Sequence, residues 1–132
     1  NHLKIEHDYI ISILKKGKSL GANKISLISA VGANSKSSNF YLKTKGLLEE
    51  SIKLLDYDCV NILRPSHIIT NKPLNRSGLL VFLIDFISKI SNSILIGSSR
   101  KYRGIELEKI SKFMAEKNSK GLNTFYYDDF IL

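Results

Sequence analysis

The stretch KISLISAVGANSKSSNFYLKTKGLLEESIKLLDYDCVNILRP, residues 24–65, decides the fold. It opens on a short apolar run, Lys24 to Ser29, partly β-branched, which reads as a buried parallel strand. A small, polar loop from Ala30 to Ser38 follows, with the permissive backbone expected where a chain passes close to a ligand. A helix then begins around Tyr41-x-x-x-Lys45, with Ser38 or Asn39 able to cap it. Cys59 to Leu63 is the next strand, and Pro65 forbids continuation of its ladder and turns the chain. The edge where such strands end is where open α/β sheets bind ligands.

On the helix, Tyr41 and Lys45 are four residues apart and share a face with Leu48 and Ile52. A phenol beside an ammonium has its ionised form favoured, which makes it a better proton donor and acceptor near neutrality. Two readings of the pair stand side by side. It is a proton-transfer pair facing a site, or it is the amphipathic rim of a helix packed on a sheet. Glu49 and Lys53 read as a helix-stabilising pair on another face.

Working outward, Asp8 reads as the N-cap of a helix to about Lys16, with Ile5, Tyr9 and Ile13 as its apolar stripe and Ile10 and Leu14 beside them. Lys15, Lys16 and Lys18 suit its C-terminal end, and Gly17 or Gly21 stops it. Downstream, Leu79 to Ile90 is strongly apolar and reads as a helix under the substrate region. Arg100-Lys101-Tyr102-Arg103 is a basic patch that either meets an anion or is a solvated loop. Glu106 to Asn118 reads as an amphipathic helix with Leu107, Ile110, Phe113 and Met114 inward. Asn123 to Tyr127 reads as a last strand, and Asp128-Asp129 begins a short tail.

Composition removes several function classes. The 132 residues fit one domain or part of one, with 43% hydrophobic and 24% charged residues, ordinary for a globular chain. No apolar run is long enough to span a membrane. The single cysteine, Cys59, excludes a disulfide framework and suggests a reducing, cytoplasmic setting; in a buried strand it reads as a small core residue. His7 has no partner at metal-ligand spacing, and no metal site is expected. The net charge of +8 comes from scattered lysines, without a dense arginine cluster or aromatic interleaving, so nucleic-acid binding is not the expected function.

The stretch resembles the short-chain dehydrogenase/reductase family, and within it the atypical branch of Tat-interacting-protein-like oxidoreductases. The residues that carry the resemblance are Lys24 to Ser29 with Val31-Gly32-Ala33, Ser37-Ser38-Asn39-Phe40-Tyr41-Leu42-x-x-Lys45-Gly46, and Leu63-Arg64-Pro65. Looser matches are Ile5-Glu6-His7-Asp8-Tyr9, Arg76-x-Gly78 and Lys101-Tyr102-Arg103. The resemblance implies an α/β fold: the C-terminal part of a Rossmann-type doubly wound parallel sheet. Residues 1–132 form that part, with a small helical substrate-side region at about 66–120. The Gly-rich turn that holds a dinucleotide pyrophosphate occurs nowhere in the sequence, and Met114 is the only methionine. The expectation is therefore that such a unit precedes Asn1 in the intact protein, and that this part alone binds dinucleotide poorly.

The resemblance implies roles as well. Tyr41 exchanges a proton with a carbonyl or hydroxyl oxygen. Lys45 tunes Tyr41 and bonds the nicotinamide ribose, and Ser29 polarises the substrate oxygen. Ala30 and Val31 stand where the branch more often has that serine, which opens the alternative of an NAD(P)-binding regulator with weak turnover. Pro65, Ser66 and Ile68 are expected along the nicotinamide, with Ser66 in place of the usual glycine, and Arg76 near the cofactor. The cofactor is NAD or NADP, with NADP placed ahead. The implied partner is a small carbonyl or alcohol, and a homodimer is allowed.

Overall fold

The structure, a computed structural model, describes residues 4–69 and 94–131. A helical turn of π type over Lys4–Tyr9 runs into α1 (Ile10–Ser19), followed by β1 (Lys24–Ile28), α2 (Phe40–Lys53), β2 (Cys59–Leu63) and β3 (Ile68–Ile69). A 3₁₀ turn at Gly97–Tyr102 leads to β4 (Ile105–Glu106), α3 (Leu107–Glu116), β5 (Gly121–Phe125) and α4 (Tyr127–Phe130). The main sheet has the order β1-β2-β5, and both of its pairings are parallel. Ile25 lies opposite Val60, which lies opposite Leu122. A second, two-stranded parallel pair joins Ile68 to Ile105. This is a mixed α/β fold with a parallel sheet flanked by helices, consistent with part of a Rossmann-like fold.

β2 sits in the middle and is buried along its whole length. Successive side chains of a strand point to opposite faces. Val60 and Ile62 join Ile25, Leu48, Ile52 and Tyr57 in the core under α1 and α2. Leu63 joins Ile105, Ile110 and Phe130 under α3 and α4. Asn61 is polar in this central strand, yet wholly buried. Its amide donates to the carbonyl of Lys117 at 3.0 Å, and the Cys59 thiol donates to its oxygen at 3.8 Å. A buried amide is tolerated where such partners exist.

Two strands lie as expected: β1 ends one residue short of Ser29, and β2 matches fully. Asn39, not Ser38, caps α2, its side chain accepting from the Leu42 amide at 3.1 Å. Several expectations need correction. Asp8 is not a cap, because helical backbone already begins at Lys4; the Asp8 carbonyl instead accepts from the Ser12 hydroxyl at 2.8 Å. The stripe of α1 is turned. Ile10, Ile11 and Leu14 face the core, while Ile5, Tyr9 and Ile13 are exposed. Leu107 is exposed as well, leaving Ile110 as the buried anchor of α3. The last strand starts two residues early, at Gly121, whose φ of +79° is a left-handed conformation that glycine adopts without strain. The expected tail is instead the turn of helix α4, where the Asp129 carboxylate accepts from the Tyr126 amide at 2.7 Å. The expected helix at Leu79–Ile90 lies outside the described residues.

Candidate active site

Tyr41 and Lys45 sit in the first half of α2, which begins after the loop leaving the C-terminal end of β1. The loop is pinned to the helix. The Asn34 amide donates to the Leu42 carbonyl at 3.1 Å, and Val31 donates to Pro65 at 3.0 Å. Gly46 makes the approach feasible, because a Cβ there would fall 2.2 Å from the Ser35 nitrogen and 2.3 Å from the Asn34 carbonyl carbon. Any side chain at Gly46 would have to push backbone aside.

The structure brings Tyr41 and Lys45 together. The Lys45 ammonium lies 5.7 Å from the centre of the Tyr41 ring, within cation–π range. Tyr41 is 53% exposed. Lys45 is mostly covered, and its ammonium donates to the half-exposed Glu6 carboxylate at 3.0 Å. That partner comes from the first helical turn and was not foreseen. The stripe thus runs from solvent to core, from Tyr41 through Lys45 to the buried Glu49.

Glu49 is the second residue the sequence reading missed. It does not pair with Lys53 on a solvent face; it is 3% exposed and faces the ends of the strands. Arg64 donates to it twice, from Nε at 2.9 Å and from Nη2 at 2.6 Å. The Ser29 hydroxyl donates to the same carboxylate at 2.5 Å, and Arg64 Nη1 reaches the Tyr126 hydroxyl at 3.1 Å. Hydrogen bonding to Glu49 raises the Arg64 guanidinium above its ordinary value; burial works against this, and the Glu49 charge and Tyr126 add to it. The signal available in the sequence was spacing. Glu49 follows Lys45 by four residues and sits between Leu48 and Ile52, so the face that buries those residues must also bury a carboxylate.

Ser29 is therefore placed among strand ends, with its hydroxyl committed to Glu49. Pro65 is buried, while Ser66 and Ile68 are partly exposed at the same edge, Ile68 within β3. Arg76 lies outside the described residues. In the basic patch, Arg100 pairs with Asp128 at 2.9 Å and Arg103 Nε donates to the Leu95 carbonyl at 2.8 Å. Both arginines thus have partners within the chain. A cavity of about 470 Å³ lies elsewhere, between α3, β5 and α4, lined by Lys112, Phe113, Lys117 and Phe125 among others. It touches none of the expected site residues, so the sheet edge is preferred on topology.

Tyr41 and Lys45 offer a phenol and an ammonium on the helix that follows β1, and Ser66 follows β2, the neighbouring parallel strand. A helix N-terminus with a Gly-rich turn for a pyrophosphate is not among the described residues.

No family model matches the chain. Protein fmp52, mitochondrial, of Emericella nidulans is 30% identical over 125 residues, covering 93% of this chain and 52% of that protein. Protein FMP52, mitochondrial, of Kluyveromyces lactis is 37% identical over 92 residues, 70% of this chain and 40% of that protein. Protein HTATIP2 of Rattus norvegicus is 28% identical over 76 residues, 58% of this chain and 31% of that protein. The chain thus spans about half or less of the length of these relatives. The expected cytoplasmic setting is overturned, since the FMP52 relatives are named mitochondrial. A single cysteine forms no disulfide within this chain and cannot separate one compartment from another. At modest identity, the chain is similar to the FMP52 and HTATIP2 proteins, and this supports, at a coarse level, the atypical short-chain dehydrogenase/reductase branch that its Tyr41–Lys45 helix and Arg64–Pro65 strand end resemble.

Proposed function

We propose that the intact protein is an NAD(P)-dependent oxidoreductase of short-chain dehydrogenase/reductase type, acting on a small carbonyl or alcohol. The observation that carries this reading is the contact between Tyr41 and Lys45 at the sheet edge where α/β folds hold ligands. A bound nicotinamide would supply or accept the hydride. Tyr41 would hand its phenolic proton to the substrate oxygen in reduction and take it back in oxidation. Lys45 would hold that phenol in an electropositive setting and donate to the ribose hydroxyls. Pro65, Ser66 and Ile68 would wall the ring; Arg76 is proposed near the cofactor. NADP is proposed ahead of NAD.

Tyr41→Phe should lower turnover by about 10²–10⁴-fold while leaving dinucleotide affinity nearly unchanged, because only the proton is removed. Lys45→Ala should lower both. Steady-state kinetics and fluorescence titration of NADPH on the intact protein separate the two. Equal, unchanged activity in both variants would make the pair a helix rim. One observation favours a second reading, an NAD(P)-binding regulator with little turnover: the Ser29 hydroxyl donates to the Glu49 carboxylate. Dinucleotide binding without turnover in the wild type would select it.

A further inference from the structure

The buried carboxylate of Glu49 is the point where four elements meet. Glu49 comes from α2, Ser29 follows β1, Arg64 follows β2, and Tyr126 follows β5. The side-chain bonds run Ser29 to Glu49, Arg64 to Glu49 twice, and Arg64 to Tyr126. Backbone bonds close the same ring: Ser29 donates to Leu63 at 2.7 Å, Arg64 to Phe125 at 2.9 Å, and Val31 to Pro65 at 3.0 Å. Glu49 is one helical turn from Lys45 and two from Tyr41, on the same stripe. Arg64 is the residue directly before Pro65. A rigid planar fork held by two bonds fixes both distance and angle, which a single contact does not.

We propose that Glu49 and Arg64 are positioning residues, which lock the Pro65–Ile68 segment in place relative to Tyr41 and Lys45. This deepens the oxidoreductase reading and rests on it for the identity of the ligand, while the locking itself is a property of the chain. A buried pair of this kind is weak as a source of stability over an apolar pair of equal volume, but it specifies geometry. Hydrophobic groups of similar size could cover the sheet edge; they could not set the direction in which the backbone leaves β2.

The test uses the intact protein with Glu49→Gln, Glu49→Asp and Arg64→Lys. Amide hydrogen exchange is read at Ser66, His67 and Ile68 and, for comparison, at Val60 and Ile62 in β2. NADPH dissociation constants are measured in parallel. In Glu49→Gln and Arg64→Lys, exchange at Ser66–Ile68 should rise about tenfold or more with β2 unchanged, and dinucleotide binding should weaken by about tenfold, since a segment no longer held in place must be ordered on binding. Glu49→Asp retains the charge and should recover part of both effects. Exchange that rises equally in β2, or stays unchanged at Ser66–Ile68, overturns the proposal. If the wild type binds no dinucleotide but the segment alone loosens, the positioning stands and the cofactor reading falls. Should Glu49→Gln fail to fold, Arg64→Lys, which retains a cation, decides by the same exchange pattern.

Discussion

At the scale of single residues, the charge on Glu49 dictates more than its position in a helix does. A carboxylate that is 3% exposed must be compensated, and three donor groups converge on it. Removing one partner of such a pair strands the other, so Glu49→Ala should destabilise by roughly 3–5 kcal/mol in urea unfolding. The pH dependence follows from Arg64. A raised folded value gives stabilisation that is complete below the unfolded value and lost only as pH climbs through the raised one. For arginine that window opens above about pH 12. The Glu49–Arg64 coupling, measured by a double-mutant cycle with Glu49→Gln and Arg64→Met, should therefore be the same at about pH 7 and about pH 10. A coupling that faded by about pH 10 would mean that a lysine or tyrosine nearby, not Arg64, holds the carboxylate. The sequence made Tyr41 and Lys45 legible because both residues of the pair lie on one helix. Arg64 and Ser29 could not be assigned to Glu49, because their meeting depends on two different strand ends and a helix.

At the scale of elements, α1 and α2 show what a helical period can and cannot tell. Apolar residues at Ile5, Tyr9, Ile10, Ile11, Ile13 and Leu14 surround much of the first helix, so the period predicts a helix without choosing a face. The choice falls to packing: Ile10, Ile11 and Leu14 meet the cluster of Leu48, Ile52 and Val60. Ile13, 69% exposed, is left outside, and Ile13→Lys should change stability by no more than about 0.5 kcal/mol. Ile52, wholly buried, should cost about 2–5 kcal/mol as Ile52→Ala, read by thermal or urea unfolding. Comparable losses in the two variants would mean that the outer stripe is covered in solution. In α2 the face was legible, because Leu48 and Ile52 are its apolar residues at core spacing. The strands were legible for a related reason: β2 is apolar at four of five positions, and only a strand buried on both faces carries such a run.

At the scale of the whole molecule, the order of strand, helix and strand sufficed to predict a parallel sheet. The short parallel pair of β3 and β4 was not legible, because two residues carry no period. Charge is the remaining global property. Twenty basic residues against twelve acidic ones leave +8, and each of the pairs Lys45–Glu6, Arg64–Glu49, Arg100–Asp128 and Lys109–Glu106 cancels locally. The other cations are scattered along the sequence without a dense arginine cluster, which gives a diffuse positive field. Such a field acts over about 8–10 Å at physiological salt and speeds encounter with anions, while contacts made after docking set the residence time. A dinucleotide is an anion of this kind. If the protein binds one, its association rate in stopped-flow fluorescence should fall several-fold as salt rises from about 0.05 to about 0.5 M, because the Debye length shrinks over that range. Its dissociation rate should move far less. A ligand held mainly by surface lysines would show the opposite pattern, with salt raising the dissociation rate, and would count against a site built on Lys45 and the backbone of Ser66. Duplex DNA is the control for the field alone. Binding through the field alone should be weak and should vanish at the higher salt, whereas dinucleotide binding should persist there.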